Sequence, residues 1–533
     1  MKLLIERIKQ QPIILLIVVN ILIGVFIYRD FGLSWDEPLF YKYADALGYA
    51  YSPHEWNSGH FDLEYSYGPS GEDHKSRGPA YILLARNFVY GFQALGSDTA
   101  SAWHLVNFLF FQLGIYFLYR LTTRWVSPFA SLLASGFFAY QPLLWGHAFI
   151  NPKDPPFLTF FLAAVCLGFE MVDDVSQDSK INFTKIIPAA FVLGIATSIR
   201  VLGPLAGLIV LAHALLTHWQ YLSREAGAGF ENKTRLVKRN LVVFFYYAAI
   251  SISVAILSWP YLWPNPLSRF VEVFRFMSDN PTELAVLFAG QIFRADNMPL
   301  RYIPFMLGAT LTEPTWLLFS GGLILGIIKF RKTDSQRMYS LVLCLGWLII
   351  LTAYILIQRP AVYDGLRHFL FILPPIFVFS GFVFEWILRR VSLWLRAALV
   401  AAIILPGIFG ILNLHPYEYA YYNAIVDGTA GAFRKYETDY WLTCYKDAVE
   451  SLNKQINQKA NLFVSRESYI AAYYANLNFS VIELRDAPDQ IQSGDYLLVN
   501  SRTNDDRAIY RDAPPVVQVR RGDAIFCEIR KVP

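Results

Sequence analysis

Apolar positions run along this chain in long blocks, and segments of roughly 17 to 25 residues, the length that crosses a hydrocarbon core, are its main signal. They fall near residues 12–28, 101–119, 128–148, 156–172, 186–199, 201–218, 241–260, 314–329, 339–357, 368–388 and 396–413, which predicts about eleven helices. The fifth and sixth are the least distinct, because Ser198, Arg200 and Gly203 lie where one long apolar stretch turns back or continues. The first run follows Lys2, Arg7 and Lys9 like a secretory signal, but it is long for one, and no small-x-small cleavage site precedes "RDFGLSWDE". It is taken as the first span.

Lysine and arginine gather on the cytoplasmic side of membrane proteins. With a basic amino end inside, an eleven-span path puts "RLTTR" (Arg120 to Arg124), the segment with Lys180 and Lys185, "RLVKR" (Arg235 to Arg239), "KFRK" (Lys329 to Lys332) and "RRVSLWLR" (Arg389 to Arg396) inside as well. The outer connections, 29–100, 149–155, 200, 261–313 and 358–367, are poorer in cations. Two of them, 29–100 and 261–313, far exceed the usual loop of about 4 to 6 residues. In the first, "PLFYKYADALGYAY" and "GPAYILLARNFVYGFQAL" are too interrupted by charge to span and suit the membrane interface.

The chain turns polar after Asn413. "NLFVS", "FSVIEL" and "GDYLLVNS" have strand composition, "YKDAVESLNKQI" is helical, and "PVVQVRRGDAIFCEIRKV" reads as two strands around an Arg-Gly-Asp turn. The expected organisation is a membrane module over 1–413 and a small α/β domain outside the membrane over 414–533.

Composition agrees. The 533 residues are 55% hydrophobic and 16% aromatic with mean hydropathy +0.35, more apolar surface than a soluble core of this length buries, so the class is polytopic membrane protein. A net charge of +4 spread over short loops gives no patch for nucleic acid. Of the four cysteines, Cys166 and Cys344 fall in apolar runs, while Cys444 and Cys527 lie in the polar tail, where a disulfide is open to them if that tail is outside the cell.

Charged residues cluster at the predicted outer helix ends: Asp36 and Glu37 in "LSWDEPL", Lys153 and Asp154 in "NPKDPPF", Arg200 in "TSIRVLG", and Tyr363, Asp364, Arg367 and His368 in "YDGLRHF". Each has a structural reading beside a functional one. Ser34 and Glu37 match the S-x-x-E capping box; Lys153 and Asp154 can pair with each other; Arg200 can snorkel to the interface; Asp364 and Arg367 have helical i, i+3 spacing. Together, acids and cations at one membrane face suit displacement of a phosphate leaving group from a membrane-anchored lipid. An attacking hydroxyl needs a carboxylate near its proton, and the departing phosphate needs cations or a metal. No P-loop points to a cytosolic nucleotide donor.

The "WDE" opening of the first outer loop, the second acidic motif after the third span, "YDGLRHFLFILPP" and "HPYEYAYYNAIVDGTAGAFRKYETDYW" resemble the GT-C superfamily of polyprenyl-phosphate-sugar-dependent glycosyltransferases. Within that superfamily the chain most resembles the branch of protein O-mannosyltransferases and aminoarabinose transferases, and the last two stretches resemble a bacterial group inside that branch. The resemblance covers roughly residues 12–445. It implies a multi-pass inner-membrane enzyme facing the periplasm or exterior that moves a sugar with inversion to a hydroxyl on protein, lipid or glycan. Asp36, its neighbour Glu37 and Asp154 match the catalytic acids; Lys153, Arg200, Arg367 and His368 are expected to bind donor phosphate; Tyr363 and Asp364 are expected to support the acceptor. "NPKDPP" has a single acid beside a lysine, which disfavours a metal held by paired carboxylates. The competing class is a transporter or flippase of lipid-linked sugars, against which stand the absence of an obvious repeat and the clustering of charge at one face.

Overall fold

A computed structural model describes residues 11–68, 74–177, 181–224, 230–279, 282–330 and 335–533. The basic residues Lys2, Arg7, Lys9, Lys180, Arg331 and Lys332 of the orientation argument lie outside them.

Each apolar run forms helix: α1 (Ile13–Ile27), α4 (Thr99–Thr122), α5 (Pro128–Ala139) with α6 (Pro142–Ile150), α7 (Asp154–Gln177), α8 (Phe183–Ile199), α9 (Pro204–Arg224), α10 (Phe230–Leu257), α12 (Pro314–Phe330), α13 (Ser335–Gln358), α14 (Pro374–Arg390) and α15 (Leu393–Leu414). The charged stretches of the long first loop form α2 (Glu37–Ala50) and α3 (Ala80–Ala94), and α11 (Tyr302–Ala309) precedes α12. Among the described residues five helices are long and apolar enough to cross a membrane: α4, α7, α10, α13 and α15. A sixth span results if α11 and α12, bent by 98°, count as one. The expected count of eleven spans is therefore not reproduced by length and composition.

Proline accounts for two of the differences. The third run breaks at Gln141 because Pro142 lacks an N–H and pushes the preceding residue out of the helical region; Gln141 sits at φ −73°, ψ 119°. Its side chain covers the exposed polar groups, donating to the Phe137 carbonyl at 3.1 Å and accepting the Thr312 N–H at 3.0 Å. The tenth run starts as a 3-10 turn over Arg367–Ile372 and becomes α-helical only at Pro374.

Helix α7 is the centre of the bundle, with 89% of its apolar window buried, and it packs on α4, α8, α9 and the 3-10 turn at Arg367. Its amino end therefore lies beside that turn. The C-terminal residues form a five-stranded sheet in the order β4-β3-β5-β7-β6. Its strands are β3 (Ala460–Val464), β4 (Phe479–Glu483), β5 (Tyr496–Asn500), β6 (Pro515–Arg521) and β7 (Ala524–Lys531), with α16 (Tyr445–Gln455) and α17 (Ser468–Tyr474) beside them. β3 runs parallel to β4 and β5, and β6 and β7 are the expected hairpin around Arg521-Gly522-Asp523. Cys444 and Cys527 form a disulfide that ties the start of α16 to β7. The second long loop carries a short hairpin with no sequence expectation behind it, β1 (Ala285–Phe288) and β2 (Gln291–Arg294).

Candidate active site

The two acids of "LSWDEPL" part company in space. Glu37 is fully buried and accepts from three donors: the Ser34 N–H at 2.7 Å, the Tyr41 hydroxyl at 2.7 Å and His104 Nε2 at 3.1 Å. Only half of the expected capping box forms. Ser34 Oγ donates to the Ile150 carbonyl at 3.0 Å, which ties the loop to α6, and the helix starts without a side-chain cap. Glu37, expected beside Asp36 among the catalytic acids, has its carboxylate oxygens engaged in holding the turn. Asp36 keeps 21% of its side chain exposed, while the Glu37 side chain has none.

Asp36 Oδ2 receives a hydrogen bond from Arg367 Nη1 at 2.8 Å. Arg367 stands on the turn "YDGLRH", where Asp364 and Gly365 both take positive φ, +55° and +68°. Two consecutive left-handed residues are what Asp-Gly supplies at low cost, and they turn Asp364 inward. The second Arg367 amino group meets Asp364 Oδ2 at 3.0 Å, so the i, i+3 pair exists but is part of something larger. Trp441 Nε1 donates to the same oxygen at 3.1 Å. Asp364 Oδ1 faces Arg502 Nη2 at 2.8 Å, and Arg502 in turn lies 3.2 Å from Glu437 Oε1. The result is a buried row of alternating charge: Asp36, Arg367, Asp364, Arg502, Glu437. Planar guanidinium groups suit such a row because each serves two carboxylates at once and stacks on rings: Arg367 on Trp441 at 4.9 Å and Tyr363 at 5.0 Å, Arg502 on Trp35 at 4.8 Å. His368 packs edge-on against Tyr363 at 4.7 Å.

At the amino end of α7, the Asn151 side-chain oxygen accepts the N–H groups of both Lys153 and Asp154, at 3.1 and 2.9 Å, and so opens the helix. Asp154 is 2% exposed and does not pair with Lys153. It receives Asn151 Nδ2 at 2.9 Å and the guanidinium of Arg200, which stands in extended backbone between α8 and α9. Arg200 and its partner Asp154 are 46 residues apart in the chain, so no local pattern announces the pair. Lys153, by contrast, has no carboxylate at ion-pair distance among the described residues, although its charge acts on Asp36. Arg77 belongs to the same group. Gly78 lets its loop press onto the Ser198 carbonyl at the end of α8, where a side chain has no room.

Burial alone would raise the Asp36 carboxyl, but the charges of Arg367 and Arg77, the Arg367 hydrogen bond and Lys153 outweigh it and hold it below its ordinary value. The same neighbourhood acts oppositely on Lys153. Burial first, then Arg200, Arg77 and Arg367, press its ammonium well below its ordinary value, and Asp36 offsets only part of this. Its surroundings thus disfavour the charged form of Lys153, which an incoming anion would favour. Glu437, buried and relieved only in part by Arg502, is pushed up to about 8.

Eight of the nine expected site residues, all but Glu37, belong to two groups within electrostatic reach of each other, the Asp154–Arg200 pair with Lys153 and the row at Asp36, which together add Trp35, Arg77, Glu437, Trp441 and Arg502. "YETDYW" contains Glu437 and Trp441 and stands out as a motif, but carries no local sign of a role. Arg502 has no sequence signal at all. Among the described residues, no group of three or more His, Cys, Asp or Glu side chains could hold a metal ion.

No protein-family model matches the chain, and no curated protein matches it. Among solved structures, ArnT from Cupriavidus metallidurans in the apo state is similar over 96% of this chain and 97% of that one, at 11% identity and TM-score 0.47. The same protein bound to undecaprenyl phosphate is similar over 97% of both chains, at 12% identity and TM-score 0.45. The oligosaccharyltransferase of Archaeoglobus fulgidus, in complex with zinc and sulfate, is similar over 86% of this chain and 62% of its own, at 13% identity and TM-score 0.43. At these scores, no residue role is carried across from either protein.

Proposed function

We propose that this protein is an integral membrane glycosyltransferase that moves a sugar from a polyprenyl-phosphate-linked donor to a hydroxyl acceptor at the extracytoplasmic face, with inversion. The observation that carries the reading is Lys153, which has no carboxylate at ion-pair distance among the described residues and stands among arginines. The acids around it, Asp36, Asp154 and Asp364, are each matched to an arginine, Arg367, Arg200 and Arg502, and Arg77 adds a further positive charge. Among the described residues the site carries more basic than acidic side chains beside one partly exposed carboxylate. That excess suits a lipid phosphate, which cations stabilise as it departs and gains charge.

In this reading Asp36 accepts the hydroxyl proton as the acceptor oxygen attacks the anomeric carbon and the bond to phosphate breaks. A carboxylate held below its ordinary pKa is a weak base but is always ionised, which suits a late proton transfer to an oxygen already made acidic by bond formation. Asp154 aims Arg200, and Asp364 aims Arg367. Tyr363 and His368 line the same turn and face the donor side.

Full-length protein in lipid nanodiscs, given undecaprenyl phosphate-linked sugars and a hydroxyl acceptor, is expected to release undecaprenyl phosphate. Asp36→Asn is expected to abolish turnover and keep undecaprenyl phosphate binding. Normal turnover by Asp36→Asn, or movement of the intact donor across proteoliposomes without product, refutes the proposal, the second outcome in favour of a carrier. Mass spectrometry of copurifying lipid-phosphate sugars would name the sugar.

A further inference from the structure

The C-terminal domain touches the "GLSWDE" stretch at successive points. Lys446 Nζ reaches the carbonyls of Arg29 and Phe31, the Tyr474 hydroxyl accepts the Leu33 N–H at 2.8 Å, and the Tyr469 hydroxyl donates to the Trp35 carbonyl at 2.6 Å. Arg502, just after β5, covers the Trp35 ring and pairs with Asp364. Arg502 is 0% exposed, as is Asp364, so neither meets solvent. These contacts fall between Arg29 and Trp35, just ahead of Asp36, or on the row of charge that ends at it.

A stabilising role alone is a poor account of this. Replacing buried ion pairs with apolar side chains of similar volume is often neutral or favourable, whereas leaving one charge unpaired is costly. What alternating charges fix is geometry. Without Arg502, the buried Asp364 has only Arg367 for a counter-ion, and Arg367 is then drawn off Asp36.

We propose that Arg502 is a positioning residue for Asp36, acting through Asp364 and Arg367, and that the C-terminal domain serves as the clamp that holds the reactive carboxylate. The inference rests on the role of Asp36 given above.

The test uses the full-length protein in nanodiscs and compares wild type, Arg502→Met, Arg502→Lys and Asp36→Asn. Arg502→Met is expected to lower kcat about 100-fold, the scale of a small misplacement of a reacting group. Donor KM and the affinity for undecaprenyl phosphate should stay within about threefold, as for a residue that acts on the transition state. The acidic limb of kcat should move up by about one pH unit as Asp36 loses its cation, and Arg502→Lys should recover part of both changes. Unchanged kcat and pH profile in Arg502→Met overturns the inference, and so does an equal loss of lipid binding and turnover. If Arg502→Met does not fold, Tyr469→Phe removes one clamp contact at the surface of the domain; the same signs at smaller size are expected, and no change overturns the clamp. Full activity in Asp36→Asn overturns the functional reading and this inference with it, whereas an inactive Asp36→Asn beside a fully active Arg502→Met rejects the inference alone.

Discussion

Arg367 places one amino group 2.8 Å from Asp36 and the other 3.0 Å from Asp364, so a single guanidinium sets the spacing of two carboxylates from different parts of the chain. A lysine offers one point of charge and no fork. Arg367→Lys is therefore expected to fold but to lose turnover by about 10- to 100-fold, the range that removal of an oriented group covers. Steady-state kinetics beside a thermal melt will check this, and unchanged kcat would show that the spacing is immaterial.

Arg200 and Asp154 make a second such pair. Asp154→Asn keeps the shape but frees the guanidinium, whereas Arg200→Ala removes the cation. Undecaprenyl phosphate affinity is expected to fall in both, more in Arg200→Ala, with acceptor KM little changed. Titration of nanodisc-bound protein with the lipid measures it, and an equal loss of donor and acceptor binding would mark Arg200 as structural.

Glu437 gives a pH dependence of stability. Its folded pKa of about 8 lies above the ordinary 4.5, so the folded state holds an extra proton between those values. Its favourable contribution is complete below the unfolded pKa and is lost as pH rises through the folded one. Thermal stability should fall with rising pH across that window, and Glu437→Gln should flatten the slope. Asp439, raised to about 6, acts with the same sign, so a residual slope is expected. Identical slopes in wild type and Glu437→Gln would refute the assignment.

The Cys444–Cys527 disulfide closes a loop of sequence separation 83. On the chain-entropy account, such a loop contributes about 4.5 kcal/mol. Cys527→Ser should speed hydrogen exchange in β5 and β7 while leaving α4 and α7 protected. Uniform loss of protection would mean that the two parts unfold together.

Asp36 and Asp154 are each bound to an arginine. A divalent ion would have to displace guanidinium from both, so turnover is expected to survive EDTA and to gain nothing from added magnesium or manganese. Loss on chelation, restored by one ion, would place a metal in the reaction.

The apolar runs, the two charged helices of the first loop and the strands of the tail were legible because each depends on local composition. The broken third run was legible in principle, since Pro142 marks it. The site was legible as four separate groups of residues and not as a pairing scheme. Arg200 and Asp154 are 46 residues apart, Arg367 and Asp36 are 331 apart, and Arg502 and Asp364 are 138 apart; partners so distant are chosen by tertiary packing. Arg502 is the extreme case, an arginine in a polar tail whose burial follows only from docking of that tail.

The clamp on "GLSWDE" also sets an order of events during synthesis. Leu33 and its partner Tyr474 are 441 residues apart in the chain. At about 5 to 20 residues per second, Asp36 leaves the ribosome roughly half a minute to a minute and a half before Arg502 exists. For that interval the membrane holds a nascent chain whose acid has neither its counter-charge relay nor its backbone supports. A chain stopped before Arg502 is therefore expected to insert in the membrane without turnover, which an activity assay on such a truncation checks.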